Sequence, residues 1–253
     1  MIVFESLLIA LSTYSAVPVP QFEWNQRNMK YAICFFPAVG ILCAAVLGLW
    51  YWAAERAAAG SVLFAAVAAC IPLLVTGGIH MDGYLDTVDA LSSHQSRERK
   101  LEIMKDSSCG AFAVIYCGVY LLLWWGLASE LYRDGHILLL CPIFVLSRAL
   151  SGLCAVNLPN ARKSGMLCAF TSHAERRTAT VMLGVTVLLG VGWAVWMSPA
   201  TGGIAAACSL LSAALYAKFA MAQFGGVTGD TSGFFLQLCE LAGLAGIWIG
   251  GLL

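Results

Sequence analysis

Charge is what this sequence has least of. Only 11% of its 253 residues are charged, and 14 basic and 14 acidic side chains cancel to a formal net charge of +0 at pH 7. A water-facing domain carries about 25% charged residues. Too few charges are present to coat a solvated surface, which excludes a soluble enzyme, a disordered tail and a fibrous repeat. Since 60% of the residues are apolar, the class that remains is an all-α polytopic membrane protein whose surface faces mostly lipid. The overall charge balance carries no information on nucleic acid, and no nucleic-acid partner is expected. The features of a cleavable leader are missing as well. Residues 1–16 (MIVFESLLIALSTYSA) lack a basic residue and hold Glu5 inside their apolar run. The segment is short for a span and is stopped by Val17-Pro18-Val19-Pro20, so an interfacial or re-entrant helix is expected. The ten cysteines include no pair with a two-residue gap. They read as small buried hydrophobes and support neither zinc, iron–sulfur nor a disulfide framework.

Long apolar runs are what the chain does have. Seven stretches approach the length needed to cross the bilayer: 31–52, 60–76, 110–128, 136–156, 179–197, 202–221 and 233–253. The second is the shortest. Seven crossings place the N-terminal arm and the loops after the second, fourth and sixth spans on one side. That side holds Arg27, Lys30, Arg97, Arg99, Lys100, Lys105, Arg148, Arg162, Lys163, Arg176, Arg177 and Lys218, twelve against Arg56 and Arg133 on the other. An excess of Lys and Arg marks the cytoplasmic side. Arg148 falls within the fourth stretch, and leaving it out preserves the orientation. The expected organisation is one integral membrane domain, residues 1–253, with its chemistry on the cytoplasmic face.

The most informative segment is 77–110, GGIHMDGYLDTVDALSSHQSRERKLEIMKDSSCG. On a helix, Asp82, Asp86 and Asp89 share one stripe, because offsets of four and seven residues return to the same face. Three like charges on one stripe repel, and a hard divalent cation would compensate them. Mg²⁺ prefers oxygen ligands and often uses a few carboxylates together with substrate phosphates. A solvated acidic face is the plainer alternative. Gly83 leaves room beside the first acid, as close approach of a ligand would require. His80 offers a proton carrier, a ligand or a structural group, and Mg²⁺ disfavours imidazole. Glu102 and Asp106 follow four residues apart, with Lys105 adjacent. The basic run Arg97, Arg99, Lys100 and Lys105 beside these acids suits an anionic, phosphorylated substrate. An arginine at membrane depth costs at least about 2.5 kcal/mol unless paired or snorkelled. For Arg148 this leaves contact with an anionic substrate, snorkelling, or pairing with Glu240.

GGIHMDGYLDTVDA (77–90) followed by RKLEIMKDSSCGAF (99–112) resembles the cobalamin synthase family, the adenosylcobinamide-GDP ribazoletransferases. PVP (18–20), FFPAVG (35–40), LSR (146–148), PNAR (159–162) with Gly165, and GGVTGDTSG (225–233) with Glu240 follow the family pattern in order. The chain departs from it at STYSAVP, which lacks a basic residue before the proline. It departs again at Phe234 and Gln237, where a small residue and an acid are expected. The resemblance implies transfer of the cobinamide-phosphate moiety of adenosylcobinamide-GDP to α-ribazole or its 5′-phosphate, with release of GMP. It also implies Mg²⁺ dependence and a place in the bacterial inner membrane. On that basis Asp82, Asp86 and Asp89 are expected to bind Mg²⁺, with Glu102 or Asp106 completing the site. Lys105, Arg148 and Arg162 are expected at phosphate. Asp89 or Asp106 would accept the ribazole hydroxyl proton, with His80 next in line. Asp230 would contact substrate or cap the last helix. Two other readings are weighed. The D-G-x-x-D-x-x-D run also resembles CDP-alcohol phosphotransferases that make lipids. A cation transporter would use acids as an ion path, but here the acids cluster at one edge. The sequence does not decide between a monomer and a homo-oligomer.

Overall fold

The computed structural model describes residues 2–106 and 108–253. Met1, at the head of the N-terminal segment, and Ser107, within the IMKDSSCG run, lie outside them. The described chain is helical, with a single isolated bridge between Asn160 and Val227. Among the described residues, six helices are long and apolar enough to cross a membrane. They are α3 (Phe36–Arg56), α7 (Ala111–Leu131), α8 (Leu140–Asn157), α10 (Arg176–Met197), α11 (Pro199–Phe224) and α12 (Gly229–Gly251). Short 3₁₀ turns, Ala32–Phe35 and His136–Leu139, lead into α3 and α8.

The expected second span is different. Helix α4 (Ser61–Val75) covers only 15 residues, about 22 Å at the usual rise per residue. It is followed after a sharp break by α5 (Ile79–Ser92), bent away by 92°. The break has a local cause. Gly77 and Gly78 sit at φ +63° and +79°, left-handed values that suit glycine because it has no Cβ to clash. The acids expected at the end of the second span therefore lie on a helix that turns back into the bundle. There α5 packs along α12 and α7.

Helix α8 is the most enclosed of the six, whereas α7 and α10 are the most lipid-facing. Leu122, Leu188 and Trp196 project outward, as hydrocarbon contact requires. The expected N-terminal helix is α1 (Ile2–Tyr14). It packs on α3 and the turn before it, and its Ser6 hydroxyl donates to Asn28 O in α2 (Gln26–Met29).

Two further short helices, α6 (Arg97–Ile103) and α9 (Met166–His173), gather with one set of helix ends. Lys100 Nζ donates to Gln223 Oε1 at 2.6 Å, the Arg97 guanidinium reaches the carbonyls of Met221 and Ala222, and the Arg176 guanidinium reaches Asn157. At the other end Phe64 and Tyr132 stack at 3.9 Å and Gly251 lies beside His136.

Arg148 corrects one expectation. Its side chain and that of Glu240 are each 1% exposed, and the two form an ion pair between α8 and α12. The same guanidinium nitrogen also donates to Phe144 O and Ser147 Oγ. The contact with substrate phosphate expected of Arg148 is replaced by the pairing alternative. An arginine so enclosed needs its counter-ion within the bundle, and α12 supplies it.

Candidate active site

The site is built on α5. Its acidic stripe faces the start of α12, and the two helices meet closely at two glycines. A Cβ at Gly83 would lie 2.8 Å from Asp230 Cα, and one at Gly233 would lie 2.7 Å from His80 O. The space beside Asp82, expected for a ligand, is thus filled by the backbone of α12. Gly83→Val is expected to cost about 1–3 kcal/mol of stability through overpacking and to lower activity by separating Asp82 from Asp230. Thermal unfolding in detergent, read beside turnover, checks both effects.

Thr228, not Asp230, caps α12. The Thr228 hydroxyl accepts from Thr231 N at 3.1 Å, and the Thr231 hydroxyl accepts from Thr228 N at 2.9 Å. This reciprocal cap leaves the carboxylate of Asp230, in the first turn, free for another partner. That partner is Arg162, whose Nη1 donates to Asp230 Oδ2 at 2.8 Å. Its other nitrogen, Nη2, donates to Leu101 O at 3.0 Å. The loop carrying Arg162 is held in place by main-chain bonds, Ala161 N to Val227 O and Val227 N to Pro159 O, both 2.9 Å.

Asp86 sits at the middle of the stripe. Asp82, Asp230 and Asp89 are its acidic neighbours and Arg162 its positive one. Asp82 is exposed, one helical turn away. Three of the expected ligands are engaged elsewhere. Asp89 accepts from Gly110 N at 2.5 Å and from Ala113 N at 2.9 Å, so both oxygens anchor the N-terminus of α7. Backbone donors exposed at a helix start favour a carboxylate there. Glu102 pairs with Arg99 at 2.7 Å, each side chain 62% exposed. Asp106 accepts from the Ser108 hydroxyl at 2.7 Å and from Ser108 N at 2.9 Å. Those hydrogen bonds hold its carboxyl below the usual range, which makes it a poorer proton acceptor. Lys105 is exposed on the turn after α6.

Two of the three cavities that border the stripe reach other parts of the bundle. One, of about 320 Å³, is lined by Tyr14, Phe36, His80, Asp82, Asp230 and neighbours on α8, α9 and α12. The other, of about 360 Å³, is polar and is lined by Asp86, Asp89, Arg99, Glu102 and Asp106. Asp82 thus lines a largely apolar chamber and Asp86 one richer in charged groups. Among the described residues, no three His, Cys, Asp or Glu side chains form a ready metal-holding group. The donors that are left, Asp82 and Asp86, still suit Mg²⁺. It takes one or two carboxylates and fills its remaining positions with phosphate oxygens and water.

A family model described as cobalamin-5-phosphate synthase matches residues 6–248. The chain belongs to that family. It is 44% identical over 241 residues to an adenosylcobinamide-GDP ribazoletransferase of Lachnoclostridium phytofermentans, covering 95% of this chain and 92% of that protein. It is 32% identical over 245 residues to one of Mesorhizobium japonicum, covering 95% and 91%. It is also 28% identical over 252 residues to one of Clostridium perfringens, covering 96% and 97%. No solved structure matches.

Sequence reasoning missed the Arg162–Asp230 pair and the place of Tyr14 in a cavity wall. Arg162 and Asp230 stand 68 residues apart, and no local pattern joins them. The Thr-x-x-Thr spacing at 228–231 was the one signal for the cap that frees Asp230.

Proposed function

We propose that this chain is an adenosylcobinamide-GDP ribazoletransferase. It transfers the cobinamide-phosphate moiety of adenosylcobinamide-GDP to α-ribazole or its 5′-phosphate and releases GMP. The observation that carries this reading is the carboxylate pair Asp82 and Asp86, one lining an apolar cavity and the other a cavity richer in charged groups, in a family whose curated relatives bear that name. A ribazole hydroxyl oxygen forms a bond to the cobinamide-bearing phosphorus, and the phosphorus–oxygen bond to GMP breaks. Such a transfer is accelerated mainly by positioning and by neutralising the diphosphate charge. Asp82 and Asp86 would hold Mg²⁺, which when bound supplies that neutralisation. Arg162 lies beside them as a second positive group, steadied by Asp230. Asp89 and Asp106, both tied by hydrogen bonds, are poor acceptors of the hydroxyl proton.

The end of the bundle that holds the site also holds Arg97, Arg99 and Lys100 of α6 and Arg176 and Arg177 at the start of α10, which supports a site facing the cytoplasm of a bacterial inner membrane. Purified protein in nanodiscs is expected to release GMP from adenosylcobinamide-GDP and α-ribazole with Mg²⁺, and to stop when EDTA removes the ion. CMP release from a CDP-alcohol donor would favour the lipid synthase instead. Ion flux without turnover would favour a transporter.

A further inference from the structure

The apolar cavity beside Asp82 has a chemistry that selects among the parts of the two substrates. Its wall includes Tyr14 and Phe36, 4.5 Å apart between ring centroids, and His80 edge-on to Phe36 at 5.6 Å. Ala155, 3% exposed, and Leu236, 1% exposed, add aliphatic surface. Polar groups are few. Asp82 and Asp230 stand at the acidic edge, while His80 and Ser151 are 5% and 2% exposed within the wall. The His80 Nε2 atom is buried without a hydrogen-bond partner. A buried polar atom of this kind costs free energy until something satisfies it.

An apolar cavity of about 150 Å³ holds one benzene ring. A cavity of about 320 Å³ has room for a substituted fused bicycle and not for a corrin macrocycle. Guanine presents donors and acceptors on both of its edges, and this wall would leave most of them unpaired. A base with apolar edges and a single free ring nitrogen fits both the wall and its unspent imidazole.

We propose that this cavity seats the benzimidazole base of the acceptor, stacked against Tyr14 and Phe36, with His80 hydrogen-bonded to its free ring nitrogen. The inference rests on the ribazoletransferase reading above. With the base inside, the ribose lies at the rim beside Asp82, where its hydroxyl meets the diphosphate. His80 then serves to bind and orient the acceptor, in place of its runner-up role as proton acceptor.

The test compares α-ribazole with its indole analogue, in which the ring nitrogen is replaced by C–H. Wild-type protein is expected to prefer α-ribazole by at least about tenfold in kcat/KM, the usual scale for a missing partner to a buried polar group. His80→Phe keeps the aromatic packing and is expected to abolish that preference. Ala155→Phe fills the cavity and is expected to raise the KM for α-ribazole at least about tenfold, with the KM for adenosylcobinamide-GDP held within about twofold. Equal use of the two acceptors by the wild type overturns the inference, even if neither variant folds. So does a preference that survives in His80→Phe, or a KM change that falls on the donor. Absence of GMP release from the wild type with either acceptor is the separate failure of the ribazoletransferase reading itself.

Discussion

Asp82→Asn and Asp86→Asn are each expected to lower GMP release at least about 100-fold, the scale seen when an essential electrostatic group is removed from an active site. Asparagine keeps the volume and hydrogen-bonding capacity of the side chain and removes the charge. Asp82 is exposed and Asp86 half-buried, and neither appears in a hydrogen bond that holds two helices together, so both variants should fold. The contrast with the other acids sharpens the test. Glu102 is paired with Arg99 at the exposed surface, where an ion pair contributes about 0–1 kcal/mol, and Glu102→Gln is expected to leave turnover within about threefold. Gel-filtration profile, helical circular dichroism and GMP release, measured together, decide the matter. Near-normal turnover in both asparagine variants would remove the metal assignment. A loss in Glu102→Gln equal to theirs would move the ion toward the polar cavity.

Removing either partner of the Arg148–Glu240 pair should give the largest loss of stability in the molecule. Both side chains are 1% exposed. Arg148→Met would strand a carboxylate, and Glu240→Leu a guanidinium, inside the bundle. Breaking a buried pair in this way costs about 3–5 kcal/mol. The double variant Arg148→Met/Glu240→Leu removes both charges and is expected to recover most of the loss. The pair already leaves Arg148 Nε and Glu240 Oε2 unsatisfied, and the double variant relieves that burden too. Thermal unfolding of the three variants in one detergent forms a cycle that isolates the coupling. If the single variants unfold at the wild-type temperature, the pair does not hold α8 to α12. If the double variant is the least stable of the three, the cost of burying these charges has been misjudged.

The helices were largely legible because hydropathy is a local property. Stretches 136–156 and 179–197 differ from α8, with the turn before it, and from α10 by no more than three residues at either end. The last span shows where locality stops. It was expected to open at Gly233, yet α12 starts at Gly229 because the Thr228–Thr231 cap extends it into polar sequence. The break after α4 was written in Gly77-Gly78, but its 92° angle depends on what α5 packs against. Gly83 was read as room for a ligand and is room for α12. Its neighbour in space, Asp230, lies too far along the chain for any periodic pattern to reveal.

Composition and apolar run length alone decided that this is an all-helical membrane protein, and the ordered motifs pointed to its family. The apolar runs and the motifs are no longer than 22 residues each, which a single strand of text displays in full. Glu102 and Asp106 are held by the near neighbours Arg99 and Ser108. The other acids were settled only when helices from distant parts of the chain came together: Asp89 found the start of α7, Arg148 found Glu240, and Asp82 and Asp86 were left facing the two cavities. A carboxylate's role is set by the donors within about 3 Å of its oxygens, and in this protein the partners of Asp89, Asp230 and Glu240 come from other helices and loops.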